Sequence, residues 1–229
     1  MRINFSPYVT SISKAIKSGC TRIFSTPQKD YFQPYKAIKY EKFTTLAEML
    51  AFAGLNFPNT RILTNNVSEG KRIIRTMCKL HNMTRGKILF PPEIKTFKKT
   101  KSKYSGDYGG NVVRLNSDCK NLESTLAHEI AHYNHEQLCT DYDKMGKESE
   151  LIADGIMDFS IFDEFNKNKE TKNLIKRCLG GYATSSPCEF VACTFESLAN
   201  GRILPIAIWE LYKKYEGPHA DLLKPLFGK

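Results

Sequence analysis

Paired cysteines are what this chain most obviously lacks. Its cysteines (Cys20, Cys78, Cys119, Cys139, Cys178, Cys188 and Cys193) are odd in number and scattered, with no C-x-x-C pair among them. That spacing argues against a disulfide framework and against a cysteine-built zinc module. The thiols are expected to be reduced and mostly buried, compatible with a cytosolic setting. No stretch approaches the roughly 18 consecutive apolar residues of a membrane-crossing helix, so no transmembrane segment is expected. Internal repeats and low-complexity tracts are also missing. Acid is absent from the start: Arg2, Lys14, Lys17, Arg22 and Lys29 precede the first acidic residue, Asp30. The same segment, broken by Ser6, Pro7, Ser11, Ser13 and Lys14, never forms the apolar core of a Sec signal, so Sec export is not expected. Residues 1–40 read as a basic, flexible arm, with a transit peptide or a leader for a non-Sec route as the alternative.

What remains is ordinary globular composition: 229 residues, 41% hydrophobic and 25% charged, with a formal net charge of +10. The basic surface suits acidic partners, membranes or nucleic acid without choosing among them. Lys95, Lys98, Lys99, Lys101 and Lys103 form a run without acid, read as a solvated loop or, failing that, a phosphate-tracking surface.

Helices are predicted over 44–54, where Thr45 and Glu48 suit a capping box and Gly54 closes the helix, and over 67–82. A short strand is expected at Ile88–Phe90, ended by Pro91 and Pro92, and a second over 111–115, with Asn116, Ser117 and Asp118 as cap candidates for the next helix. Residues 121–138 make the best-patterned helix, with Leu122, Leu126 and Ile130 on one line. Further helices are expected near 148–165, 168–179, 187–200 and 205–215. Strands before the key helix and only helices after it indicate an α+β domain over 41–229, mostly helical with a small sheet preceding the active-site helix.

His128-Glu129-Ile130-Ala131-His132 is an H-E-x-x-H motif inside that best helix. One helical turn separates the histidines, so both imidazoles can reach one metal ion while Glu129 stands beside them to take a proton from water. The bland alternative is a pair of surface histidines on an amphipathic helix. His135 shares the face but lies ~10 Å along the axis from His128, too far for the same ion, and is expected to support the ligands or to be exposed.

A catalytic zinc needs a third protein ligand. Two carboxylates qualify. Glu150, in an E-x-x-x-D arrangement with Asp154, resembles the gluzincin peptidases, whose helix-borne Glu binds zinc and whose Asp holds a ligand histidine. Glu189 lies in Tyr182-Ala183-Thr184-Ser185-Ser186-Pro187-Cys188-Glu189-Phe190-Val191-Ala192. Either has a structural alternative: Glu150 as a solvated helix residue, Glu189 as the N3 member of a capping box opened by Ser186 and Pro187.

The segment Y-A-T-S-S-P-C-E-F-V-A resembles the downstream motif of lethal-factor-like zinc metallopeptidases, the family of the catalytic domain of anthrax toxin lethal factor. The resemblance covers about residues 108–217, including the tail LPIAIWELYKKYEGP, which looks like the family's closing helix. It implies a zincin-like fold, one Zn2+ held by His128, His132 and Glu189, Glu129 as catalytic acid/base, and Tyr182, seven residues before Glu189, as an active-site hydroxyl. One departure stands out: the family continues E-F-F-A-E, and Cys193 occupies the place of the second Glu. The implied activity is hydrolysis of peptide bonds in a protein or peptide substrate, by a zinc-bound water that Glu129 activates. The strand over 111–115 is expected to pair with an extended substrate. Two other readings are a gluzincin-type peptidase using Glu150 and Asp154, and a nucleic-acid-associated protein with a zincin domain, the latter supported by charge alone.

Overall fold

The computed structural model describes residues 35–98, 105–139 and 168–223. All belong to one compact unit, Tyr35–Lys229. Of the residues assigned to the expected arm only 35–40 are described: the Tyr35 hydroxyl and the Ile38 backbone N–H both donate to Asn82 Oδ1, at 2.6 and 2.9 Å, tying the chain to a helix from its first described residue. Glu150, Asp154, the helix expected near 148–165 and the distal lysines Lys99, Lys101 and Lys103 lie outside the described residues.

The elements run α1 (Leu46–Asn56), β1 (Arg61–Leu63), α2 (Val67–Met83), β2 (Glu93–Phe97), β3 (Gly106–Gly109), β4 (Val112–Asn116), α3 (Leu122–Leu138), α4 (Lys169–Leu179), a 3-10 turn (Tyr182–Thr184), α5 (Pro187–Ala199) and α6 (Ile206–Lys214). The fold is α+β with one mixed sheet of order β1-β2-β4-β3, in which β1, β2 and β4 are parallel and β3 is antiparallel to β4. Among the described residues no helix is long and apolar enough to cross a membrane.

Local chemistry explains most of these elements. Thr45 and Glu48 form the expected capping box at α1. Gly110 and Asn111, at φ of 60° and 64°, are a two-residue turn between β3 and β4, with left-handed backbone at both central positions as a tight hairpin requires. In register across the parallel strands, Ile62, Ile94 and Val113 form a buried row on one sheet face. They join Ile73, Ile74 and Met77 of α2 and Leu126 and Ile130 of α3 in a single core.

Four expectations change. Ile88–Phe90 is not a strand, because the side-chain amide of Asn134 occupies its backbone: Leu89 N–H donates to Asn134 Oδ1 at 2.9 Å, and Asn134 Nδ2 donates to the Leu89 carbonyl at 2.7 Å. The strand begins after the two prolines, at Glu93, so Lys95 sits in β2 rather than in a loop. β1, β2 and the α2 between them form one β-α-β unit, where the pattern suggested none; β1 is only three residues long. The cap of α3 is Asn121, whose Oδ1 accepts from Ser124 N–H at 3.2 Å, and not Asn116, Ser117 or Asp118.

Candidate metal centre

Among the described residues, α3 packs more extensively on α5 than any other pair of elements does on each other, and the candidate site lies along that contact. His128 and His132, one turn apart on α3, face Glu189 in the first turn of α5, 61 positions downstream of His128. Ser186 caps α5 by accepting from Glu189 N–H at 3.1 Å, and Pro187 opens it. The expected capping box is thus half formed. The Glu189 backbone is held by the cap while its carboxylate turns to the histidines.

Three acceptor atoms converge there. His128 Nε2 lies 3.1 Å from Glu189 Oε2 and 3.2 Å from His132 Nε2, and His132 Nε2 lies 3.5 Å from Glu189 Oε2. Zinc bound tetrahedrally to N and O donors at about 2.0–2.1 Å sets those donors roughly 3.3 Å apart, and the three observed separations straddle that value. Lone pairs of two imidazoles and a carboxylate repel at such distances unless a shared proton or a metal cation stands between them. Both the donor set and its spacing therefore fit a divalent ion such as zinc. The surroundings of the site are electronegative: burial opposes charge on His128, but Cys193, Glu189 and Glu196 around the ring outweigh it and raise its pKa, so without an ion the ring holds a proton against Glu189. Burial likewise works against the Glu189 carboxylate, yet the two histidines hold it well below the usual carboxylate range.

Glu129 is buried next to this cluster, and burial raises its pKa, with His128 and His132 pulling the other way. Tyr182, in the turn before α5, is 63% exposed, with its ring centroid 6.0 Å from that of His128. Partial burial and the adjacent Glu189 charge push its phenol pKa well up. His128, Glu129 and Tyr182 open onto a cleft of about 900 Å³, whose other walls include Ser105 and Gly106 at β3 and Asn121, Ser124 and Thr125 at the start of α3.

His135 does not reach solvent. It is fully buried, and its Nε2 lies 2.8 Å from the Tyr215 carbonyl, fastening the end of α3 to the chain just past α6. Reading the sequence also missed Glu196, whose Oε2 lies 3.4 Å from His128 Nδ1. The available signal was its spacing: Glu189, Cys193 and Glu196 stand at i, i+4 and i+7 and so share one face of α5. None of the described cysteines is in a disulfide, and four of them are buried.

No protein-family model matches the sequence, and neither a curated protein nor a solved structure matches the chain.

Proposed function

We propose that this protein is a zinc metalloendopeptidase of the lethal-factor-like type, with a zincin-like domain built around α3 and α5. The observation that carries the reading is the convergence of His128 Nε2, His132 Nε2 and Glu189 Oε2 at mutual distances of 3.1 to 3.5 Å beside a buried Glu129. A glutamate in that place has no purpose in a purely structural site, whereas peptide hydrolysis needs a base there.

His128, His132 and Glu189 would hold the ion. A zinc ion so held supplies Lewis-acid polarisation of a carbonyl and makes water acidic enough to lose a proton near neutral pH. The chain's own residues do the rest. Glu129, its basicity raised by burial, accepts the proton of the attacking water and passes it to the leaving amine. The Tyr182 hydroxyl donates to the carbonyl oxygen as negative charge develops there, and its raised pKa keeps that proton in place at neutral pH.

Substrate pairing shifts from the strand expected. β4 has both edges occupied, by β2 and β3, so it offers no backbone groups to a peptide. β3 is paired on one side only among the described residues, and its Gly106 lines the cleft. An extended peptide laid against β3 would be gripped by main-chain hydrogen bonds whatever its side chains.

A peptide-cleavage screen on Glu129→Gln tests the chemistry. The amide fills the same space but cannot accept the proton, so zinc is retained and turnover falls by a factor of at least ~10². Equal cleavage by variant and parent would remove Glu129 as the base.

A further inference from the structure

We propose that Glu196 is the residue that positions His128 for the metal, from a place one turn further along α5 than the cysteine that interrupts the motif. The inference rests on the metal-centre reading and concerns the other side of the same imidazole. With Nε2 turned toward His132 and Glu189, Nδ1 of His128 carries the ring proton and needs an acceptor. Two groups face it: Glu196 Oε2 at 3.4 Å and Cys193 Sγ at 3.9 Å. Sulfur is a weak acceptor, whereas a carboxylate is a strong, charge-assisted one. Glu196 therefore holds the N–H, fixes the tautomer and ring angle, and makes Nε2 a better donor to a cation.

The geometry of α5 explains why residue 196 can do this. Cys193 and Glu196 lie about 6 and about 10 Å along the axis from Glu189, on the same face. Side chains on a helix lean toward its N-terminus, so the long Glu196 chain reaches back over the turn that holds position 193. The short cysteine leaves room for it. A glutamate at 193 would fill that space and set two carboxylates at i and i+3 on one ring. The two positions thus act as a pair, in which the small residue at 193 is the condition for the carboxylate at 196. Both Glu196 and Cys193 line the open cleft with His128.

A different use of the same atoms competes with this one. His128 Nδ1, Cys193 Sγ and Glu196 Oε2 all lie within 4.8 Å of one another and offer one ligand atom each. If they held an ion, His128 would have to give up its Nδ1 proton and bridge two metals. The 3.9 Å sulfur distance also exceeds the roughly 3.5 Å that bonds of about 2.3 and 2.0 Å to one tetrahedral ion would set. A hydrogen-bonded carboxylate needs neither adjustment.

The test is the zinc dissociation constant of the full chain, by competition with a chromophoric chelator, for the parent, Glu196→Gln, Glu196→Ala, Cys193→Ala and the double variant Cys193→Glu with Glu196→Ala. Each is compared only after its far-ultraviolet circular dichroism matches the parent. Glu196→Ala should bind zinc about 10- to 100-fold more weakly, the usual effect of losing such a partner, and Glu196→Gln, isosteric and safe for folding, should weaken it in the same direction. Cys193→Ala should bind as the parent does. The double variant, with a carboxylate restored one turn earlier, should recover most of the affinity, a rescue that mere repacking would not produce. Parental affinity in both Glu196 variants would overturn the proposal. So would a near-ultraviolet thiolate charge-transfer band in the cobalt-loaded parent that Cys193→Ala abolishes, since that places a metal on the Nδ1 side. A parent that takes up no zinc at all would instead end the metal-centre reading itself.

Discussion

Single side chains in the site carry separable burdens. Tyr182 is not among the three proposed ligands, and its hydroxyl meets them only through a hydrogen bond to the Glu189 carboxylate, so removing it should leave the ligand atoms in place. Tyr182→Phe is expected to keep parental zinc affinity and lose turnover by roughly 10- to 1000-fold, because a donor to the developing oxyanion acts in the transition state. Steady-state kinetics beside a zinc titration will show it, and zinc loss on this substitution would recast Tyr182 as a structural support. Elsewhere on α3, His135 makes a prediction independent of any metal. Burial lowers its pKa from 6.5 to about 4, the Tyr215 carbonyl opposing only in part. The unfolded chain takes up that proton first, so the stability His135 contributes is whole above about pH 6.5 and declines as pH falls toward 4. The loss is roughly 3 kcal/mol over that window. Urea unfolding of His135→Gln at pH 7 and pH 4 should lose about that much less than the parent. Equal losses would mean the ring is already charged in the folded protein.

At the scale of elements, the cleft depends on how closely β3 lies on α3. Tyr108 of β3 hydrogen bonds to Glu136 of α3, and its ring meets Tyr133 edge-on at 5.8 Å. Gly106 makes the closest approach: a Cβ there would stand 2.7 Å from Thr125 Cγ2 and 2.9 Å from the Arg114 carbonyl, neither of which can yield cheaply. Gly106→Ala should cost about 1–3 kcal/mol and push the strand off α3. In the proposed enzyme it should raise KM for peptides more than it lowers kcat, because β3 grips substrate while Glu129 and the ligands sit on helices. A change in kcat alone would place the peptide elsewhere.

The same elements show what could be read in advance. The helices at Thr45, 67–82 and 121–138 were legible because caps and apolar spacing are local properties, and so was the two-histidine face of α3. β1 was not, since three residues give no period to detect. Ile88–Phe90 looked like a strand because Ile, Leu and Phe suit one, but its backbone partner is a side chain 45 positions away, invisible to any local pattern. Glu189 was singled out by a motif rather than by spacing. Glu196 stands three residues beyond the motif's second glutamate position, which Cys193 holds, so no motif marks it.

Across the whole molecule, the proposed chemistry depends on the α3–α5 contact. Phe190, Val191 and Phe195 on one side and Leu126 and Ile130 on the other are buried, and they bring into reach groups that lie far apart in the chain. Fully burying each such side chain stabilises by roughly 1.5–3 kcal/mol, so the core and not the ligands sets the helix positions. A preformed set of this kind should bind one ion per chain and gain folding stability from it, about 2.7 kcal/mol when free zinc stands at a hundred times its Kd. The most direct test of the account is the zinc content of the full chain and of Glu189→Ala, measured side by side by elemental analysis after dialysis against the same buffered zinc. About one zinc per folded parent chain and almost none in the variant is the predicted result. A parent without zinc, or a Glu189→Ala protein as fully loaded as the parent, would contradict it.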